Sequence, residues 1–211
     1  MGRTDALRPG HHKNSYVPVS RPELPIDTAS LARYLIGKIV VRALSDGVVS
    51  GRIVETEAYV VGDAAGHAFR GMTARNRSLF LEPGHAYIYL AYGSSYMLNV
   101  SSEMPGIGAG VLIRALEPLE GIALMRLNRG VERLRDLARG PGRLTTALRV
   151  DGGFDGLDLC RKGPLWLARD DQDPGKIGRS IRIGITRDAR RLLRFYLRDN
   201  AFVSGLRSLN A

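Results

Sequence analysis

A chain of 211 residues, 44% apolar and 25% charged, carries enough hydrophobic sequence for one substantial core but not for two full domains. Its 31 Lys and Arg outnumber its 21 Asp and Glu by ten, a surplus that favours a polyanionic partner, nucleic acid first, although a merely solvated basic surface gives the same count. A single cysteine, Cys160, excludes an internal disulfide and any Cys-rich zinc or iron–sulfur site, and no apolar run reaches the roughly 18 residues of a membrane span.

Residues Met1 to Ser20 mix Pro, Gly, His, Lys and Arg without periodicity and read as a mobile basic tail, with the remaining residues 21–211 forming one domain. His11 and His12 in this tail are too few ligands for a metal site. The tail also lacks the apolar core of an export signal, so a cytoplasmic protein is expected, associated with the nucleoid in a bacterium or nuclear in a eukaryote. Asp27 is placed to cap a helix running through Ile36, whose Leu31, Tyr34 and Leu35 form one apolar stripe and which Gly37 stops. A strand over Lys38 to Leu44, an Asp46-Gly47 turn and a long strand over Val48 to Val60 follow as an antiparallel pair. Residues Gly62 to Pro83 show no period and form a loop long enough to suggest function.

Tyr87 to Tyr92 and Tyr96 to Ser101 read as strands joined at Gly93-Ser94-Ser95, and Val111 to Leu116 as a further strand behind the Gly-rich turn Pro105 to Gly110. Helical pieces are expected over Leu119 to Leu127, over Val131 to Ala138, and from Gly140-Pro141-Gly142-Arg143 to Leu148. The polar loop Arg169 to Gly178 leads to strands near Ser180 to Ile185 and Leu192 to Arg198. Hairpins dominate, so the fold class is α+β: a single domain with a mainly antiparallel curved sheet, flanking helices and a protruding β-hairpin.

Along the second strand the period of two sets Glu55, Glu57 and Tyr59 on one face, opposite Val54 and Ala58. Residue type alone makes this a solvated face; the competing reading is a carboxylate sheltered by aromatics, a stronger base than one in water. Tyr87 and Tyr89 share a strand face, and Tyr92 stands at a hairpin tip, where a ring either packs or wedges between stacked bases. Asn99 and Arg114 interrupt apolar strands and need partners, either within an internal network or on a ligand. Gly142 and Arg143, at a helix start, offer amides and a guanidinium to a phosphate, or simply punctuate a loop.

Taken together, Arg52-Ile-Val-Glu-Thr-Glu-Ala-Tyr59, the loop from His67 to Arg75-Asn76-Arg77, Tyr87-Ile-Tyr89-Leu-Ala-Tyr92-Gly93, Met97-Leu-Asn99-Val and Val111-Leu-Ile-Arg114-Ala-Leu-Glu-Pro118 resemble the alkyladenine (3-methyladenine) DNA glycosylase family in order and spacing. Gly140-Pro-Gly-Arg143-Leu and Leu193-Arg-Phe-Tyr196 extend the resemblance over about residues 31–205. It implies a single α+β domain, without metal or organic cofactor, that acts on alkylated or deaminated purines in double-stranded DNA; a monomer is the plain expectation for flipping one nucleotide. Glu57 would be the general base that readies a water, and Arg114 would help hold that water or the flipped nucleotide's phosphate. Tyr59, His67, Tyr89 and Leu112 would line the base pocket, and Asn99 would exclude the exocyclic amino group of guanine. Tyr92 would be the wedge, with Arg75, Arg77, Gly142 and Arg143 on the DNA. Ser94 departs from the bulkier apolar residues found after the hairpin glycine, and Leu192-Leu193 replaces a proline-containing stretch.

Two other readings of the same residues are a non-catalytic nucleic-acid binding module and an RNA-directed protein, since an A-form partner would also want arginines. The only lysines, Lys13, Lys38, Lys162 and Lys176, lie outside the tyrosine and glutamate motifs, which favours water over an amine as nucleophile.

Overall fold

The computed structural model describes residues 16–170, 172–206, 208 and 210. Eight strands form one antiparallel sheet: β1 (Ile39–Leu44), β2 (Gly47–Tyr59), β3 (Ala86–Ala91), β4 (Ser95–Ser101), β5 (Gly110–Glu120), β6 (Leu165–Ala168), β7 (Ile177–Ser180) and β8 (Arg194–Leu197). The main path runs β3-β4-β5-β2-β1-β6, and β2 lies at its branch point. One edge of β2 pairs with β5 from Ser50 to Tyr59; the other pairs with β1 as far as Arg52 and with β8 over Glu55 to Glu57. Register shifts beside Ser50/Gly51 and around Glu55 bend β2 where it changes partner and curl the sheet.

Among the described residues, three α-helices complete the α+β domain: α1 (Thr28–Leu35), α2 (Ile122–Arg129) and α3 (Pro141–Ala147). Asp27 caps α1, accepting from the Ser30 amide at 2.7 Å, and Leu31, Ala32 and Leu35 disappear into the core over β2 and β5. The Thr56 hydroxyl donates to Ala32 O at 2.8 Å and fixes which face of β2 looks at α1. Helix α3 covers β4 and β5. None of the helices in the described residues is long and apolar enough to cross a membrane.

Four local expectations change. Residues 16–20, assigned to the tail, lie on the sheet: Val19 is fully buried and donates to Leu167 O, and the Tyr16 hydroxyl reaches Ser50 and Glu120. The rest of the expected tail, with His11 and His12, falls outside the described residues. Leu119 belongs to β5 and not to a helix, because Pro118 is accommodated at the Ser50/Gly51 irregularity; α2 begins only after Gly121, in the left-handed region at φ 70°. The helix expected over residues 131–138 shrinks to a single 3₁₀ turn, Leu134–Asp136, since the Leu116 amide bonds Ala138 O and draws the chain onto β5. The strand expected over residues 180–185 is displaced to β7, and β6, a four-residue buried run without alternation, gave no periodic signal.

Strands β2, β5 and β8 are also joined through side chains. Glu55, fully buried, accepts from Arg114 Nε at 3.0 Å, Arg194 Nε at 2.7 Å, the Ser204 amide at 2.7 Å and the Ser204 hydroxyl at 2.9 Å. Arg194, itself fully buried, also donates to Ser180, Ser204 O and Asn210. Arg194→Met therefore leaves buried charge uncompensated and is expected to cost about 3–5 kcal/mol in urea unfolding. Adding Glu55→Gln to that variant should recover part of the loss, because the stranded charge is removed with its partner.

Candidate active site

The cross-strand register builds the site. Arg194 stands opposite Glu57, Glu57 opposite Leu112, Leu112 opposite Asn99, and Asn99 opposite Tyr87. Residues directly opposite in antiparallel pairs share a face, so segments far apart in sequence form one row across β8, β2, β5, β4 and β3. In front of this row lies a cavity of about 350 Å³, lined among others by Tyr59, His67, Tyr87, Tyr89, Asn99, Leu112 and Arg114.

Glu57 is not exposed to the cavity; it lies immediately behind three of its walls. Its Oε1 accepts from the Ile183 amide at 2.7 Å, and its Oε2 accepts from the Tyr59 hydroxyl at 3.1 Å and pairs with Arg114 Nη1 at 3.3 Å. Tyr59, Arg114 and Ile183 all line the cavity. Burial pushes the Glu57 carboxyl above the usual carboxylate range, against the opposing pull of Arg114 and the Ile183 amide. Glu55 goes the other way: burial alone would raise it, but Arg114 and Arg194 together hold it low. Burial works against the charge on Arg114, and Glu57 and Glu55 more than restore it. Burial and the neighbouring Glu57 raise the Tyr59 phenol, which stays protonated and donates.

Opposite Glu57 the rings interlock. Tyr87 and Tyr89 stack with centroids 5.4 Å apart, and His67 meets Tyr89 edge-on at 4.4 Å. His67 Nδ1 shares a 2.8 Å hydrogen bond with the Tyr87 hydroxyl. The desolvation of His67 against these rings, and then Arg75, keep it below the usual histidine range although one edge is open to solvent. Buried Asn76 holds the loop in place, donating to His67 O at 2.9 Å and Gly71 O at 3.0 Å. Asn99 donates to Tyr87 O at 3.1 Å, which commits its amide nitrogen to the backbone and leaves its oxygen as the free acceptor.

The residues expected on DNA are more scattered. Tyr92 is 96% exposed at the β3–β4 turn and borders the cavity mouth together with Pro141. Arg75 is exposed, its guanidinium 6.0 Å from the Tyr89 ring, and Arg77 is exposed at the start of a short 3₁₀ turn. Arg143 is exposed 3.5 Å from Asp136. Gly142 has a packing reason to be glycine: an added Cβ would sit 2.7 Å from the Cβ of Ser95, at the base of the Tyr92 turn. Among the described residues, no group of three or more His, Cys, Asp and Glu is arranged to hold a metal.

The sequence set Tyr87 beside Tyr89 on one strand face without giving it a role in the site, and it did not single out Ile183 or Arg182. Alternation with Tyr89 was a usable signal for Tyr87. Ile183 acts through its amide, which no side-chain pattern reveals.

Tyr92 and Gly93 both have positive φ, 50° and 68°, and the Ser94 amide closes the turn onto Ala91 O. An aromatic residue there is strained, where Asn or Gly would be at ease. Tyr92→Asn loses almost no packing and should raise stability by roughly 0.5–1 kcal/mol in urea unfolding, a part of the ~1–2 kcal/mol that a left-handed residue with an ordinary side chain costs.

A family model described as methylpurine-DNA glycosylase matches residues 23–201. A protein of Mesorhizobium japonicum is 74% identical over 209 residues, covering 99% of both chains. One from Paraburkholderia phytofirmans is 51% identical over 198 residues, covering 94% of this chain and 93% of its own. A third, from Chlorobium phaeobacteroides strain BS1, is 46% identical over 180 residues, covering 84% and 90%. Each of the three is named a 3-methyladenine DNA glycosylase, a name that is itself inferred. With its fold, its enclosed glutamate and this extent of match, the chain belongs to the methylpurine-DNA glycosylase family.

Proposed function

We propose that the cavity receives a purine swung out of duplex DNA, alkylated or deaminated, and that Glu57 activates water for hydrolysis of its N-glycosidic bond. The observation that carries this reading is the position of Glu57: fully buried, raised in basicity by burial, and bonded directly to three groups that line the cavity. A carboxylate offers about four acceptor sites. Ile183, Tyr59 and Arg114 take three, leaving one on Oε1 for a water.

In this reading Tyr59, His67 and Tyr89 stack against the base, and an electron-rich wall suits a cationic alkylpurine. Leu112 forms the floor, and Asn99 restricts the space into which a guanine amino group would have to fit. As the bond breaks, its electron pair leaves with the base, and the sugar gains oxocarbenium character that the Glu57 carboxylate offsets. The water oxygen bonds to C1′ and its proton passes to Glu57. A cationic base departs neutral, whereas a neutral one needs a proton from another source. Arg114 holds the water or the nucleotide's phosphate while keeping the buried glutamates paired. Tyr92 fills the gap left in the stack, and Arg75, Arg77, Arg143 and the amide of Gly142 contact the phosphate backbone.

Glu57→Gln should lower single-turnover base release about 10²–10⁴-fold while lesion-duplex binding is retained. Loss of binding with release equally reduced would instead make Glu57 a structural residue, and absence of release from the unaltered protein would leave only a binding module. Because the active form is the carboxylate, release should fall as pH drops through the raised Glu57 pKa, giving an acid limb above the usual carboxylate range. That limb should vanish in Glu57→Gln. None of the described lysines lines the cavity, so borohydride should trap no covalent adduct and the strand should stay intact after base loss.

A further inference from the structure

Arg182 stands in the segment that leaves β7 and crosses behind the cavity. It is 3% exposed and does not line the cavity, but its guanidinium carbon lies 4.6 Å from the centroid of the Tyr59 ring, which does. A ring of the cavity lining thus carries a positive charge on its face, held by a residue outside that lining. The guanidinium cannot drift. Nη1 donates to Ala58 O at 3.0 Å and to Asp63 Oδ2, and Nη2 donates to Asp63 Oδ1 at 3.0 Å and reaches Asp188 O at 3.4 Å. Its Nε is buried without a partner, consistent with a group held by its two terminal nitrogens and by the ring.

We propose that Arg182 is a specificity-determining residue: seated against the face of Tyr59 turned away from the cavity, it weakens that ring's attraction for cationic purines and shifts preference toward neutral ones. This rests on the reading of the cavity as a base-receiving pocket. The physical basis is that a cation is drawn to the negative potential over an aromatic face. A guanidinium already on one face withdraws electron density from the other, so a second cation there gains less, while stacking of an uncharged ring is little affected. Asp63 opposes this, being an anion beside the cavity, and the bidentate pair weakens the field of both partners; the guanidinium, 4.6 Å from the Tyr59 centroid, is the member of the pair that meets the ring directly.

The readout is the ratio of single-turnover release of 7-methylguanine, a cationic base, to release of a neutral one, the better of hypoxanthine and ethenoadenine. A purely structural role would lower both rates together and leave the ratio alone. In Arg182→Met/Asp63→Asn both charges are gone, and the ratio should rise about twofold to fivefold, the size of an ordinary cation–π contact. Arg182→Gln leaves Asp63 charged and should raise the ratio further; it also serves where the double variant does not fold, since its amide can still donate to Asp63. Arg182→Lys keeps a charge behind the ring but not the bidentate fork, and its ratio should remain within twofold of the unaltered protein. An unchanged ratio in the double variant or in Arg182→Gln, with release still measurable, overturns the proposal for Arg182. Release of neither class of base by the unaltered protein overturns the base-pocket reading beneath it.

Discussion

The architecture of this protein is organised around a costly arrangement, two glutamates buried on one face of a single strand. Neither Glu55 nor Glu57 has any exposure, so each must be neutralised from within. The arginines are divided unequally. Glu55 receives two, together with the amide and hydroxyl of Ser204, and is held as a carboxylate of ordinary structural kind. Glu57 receives a share of one, a phenol and a backbone amide. Two chemically identical groups two residues apart are therefore driven in opposite directions in acidity, and the under-compensated one stands next to the cavity. The branch in the sheet serves the same end, because β8 brings Arg194 to β2 only where the pair needs it.

Much of this was readable in the residues. The long second strand, the hairpin-rich order and the helix capped by Asp27 followed from periodicity and turn chemistry. The alternation that set Glu55, Glu57 and Tyr59 on one face also held. What the face looks at was not readable, since a strand with three polar or aromatic positions has the same pattern in solvent or under a charged lid. The lid comes from residues 182, 183, 194 and 204, more than 120 positions downstream. Local pattern failed for the same reason at Leu119 and over residues 131–138, where pairing with distant strands overrode a plausible helix. Backbone contributions such as the Ile183 amide have no signature in composition at all.

The cavity and the residue proposed to enter DNA are supported by different parts of the fold. The row from Arg194 to Tyr87 is carried on paired strands and inherits their rigidity, with Asn76 and the Asp63–Arg182 pair extending it into the adjoining loops. Tyr92, by contrast, is carried on a strained turn with nothing packed around it. Strain and exposure together at one residue are poor stability choices, and their persistence makes sense where the side chain is needed outside the protein. The hydroxyl-bearing Ser94 and Ser95 beside it add little apolar surface, so the projecting contact narrows to one ring.

The branch at β2 has a further consequence for how the chain matures as it is made. Glu55 and Arg194 are 139 positions apart, and Ser204 is farther still. While a ribosome is extending the chain, the second half of β2 emerges early, with two acidic side chains and an open hydrogen-bonding edge but without the cation and strand that belong there. Its pairing on that edge and its second cation come from residues 194–204, near the other end of the sequence. Completion of the charged face behind the cavity is thereby tied to the late segment, which supplies its strand partner, a cation and a backbone amide.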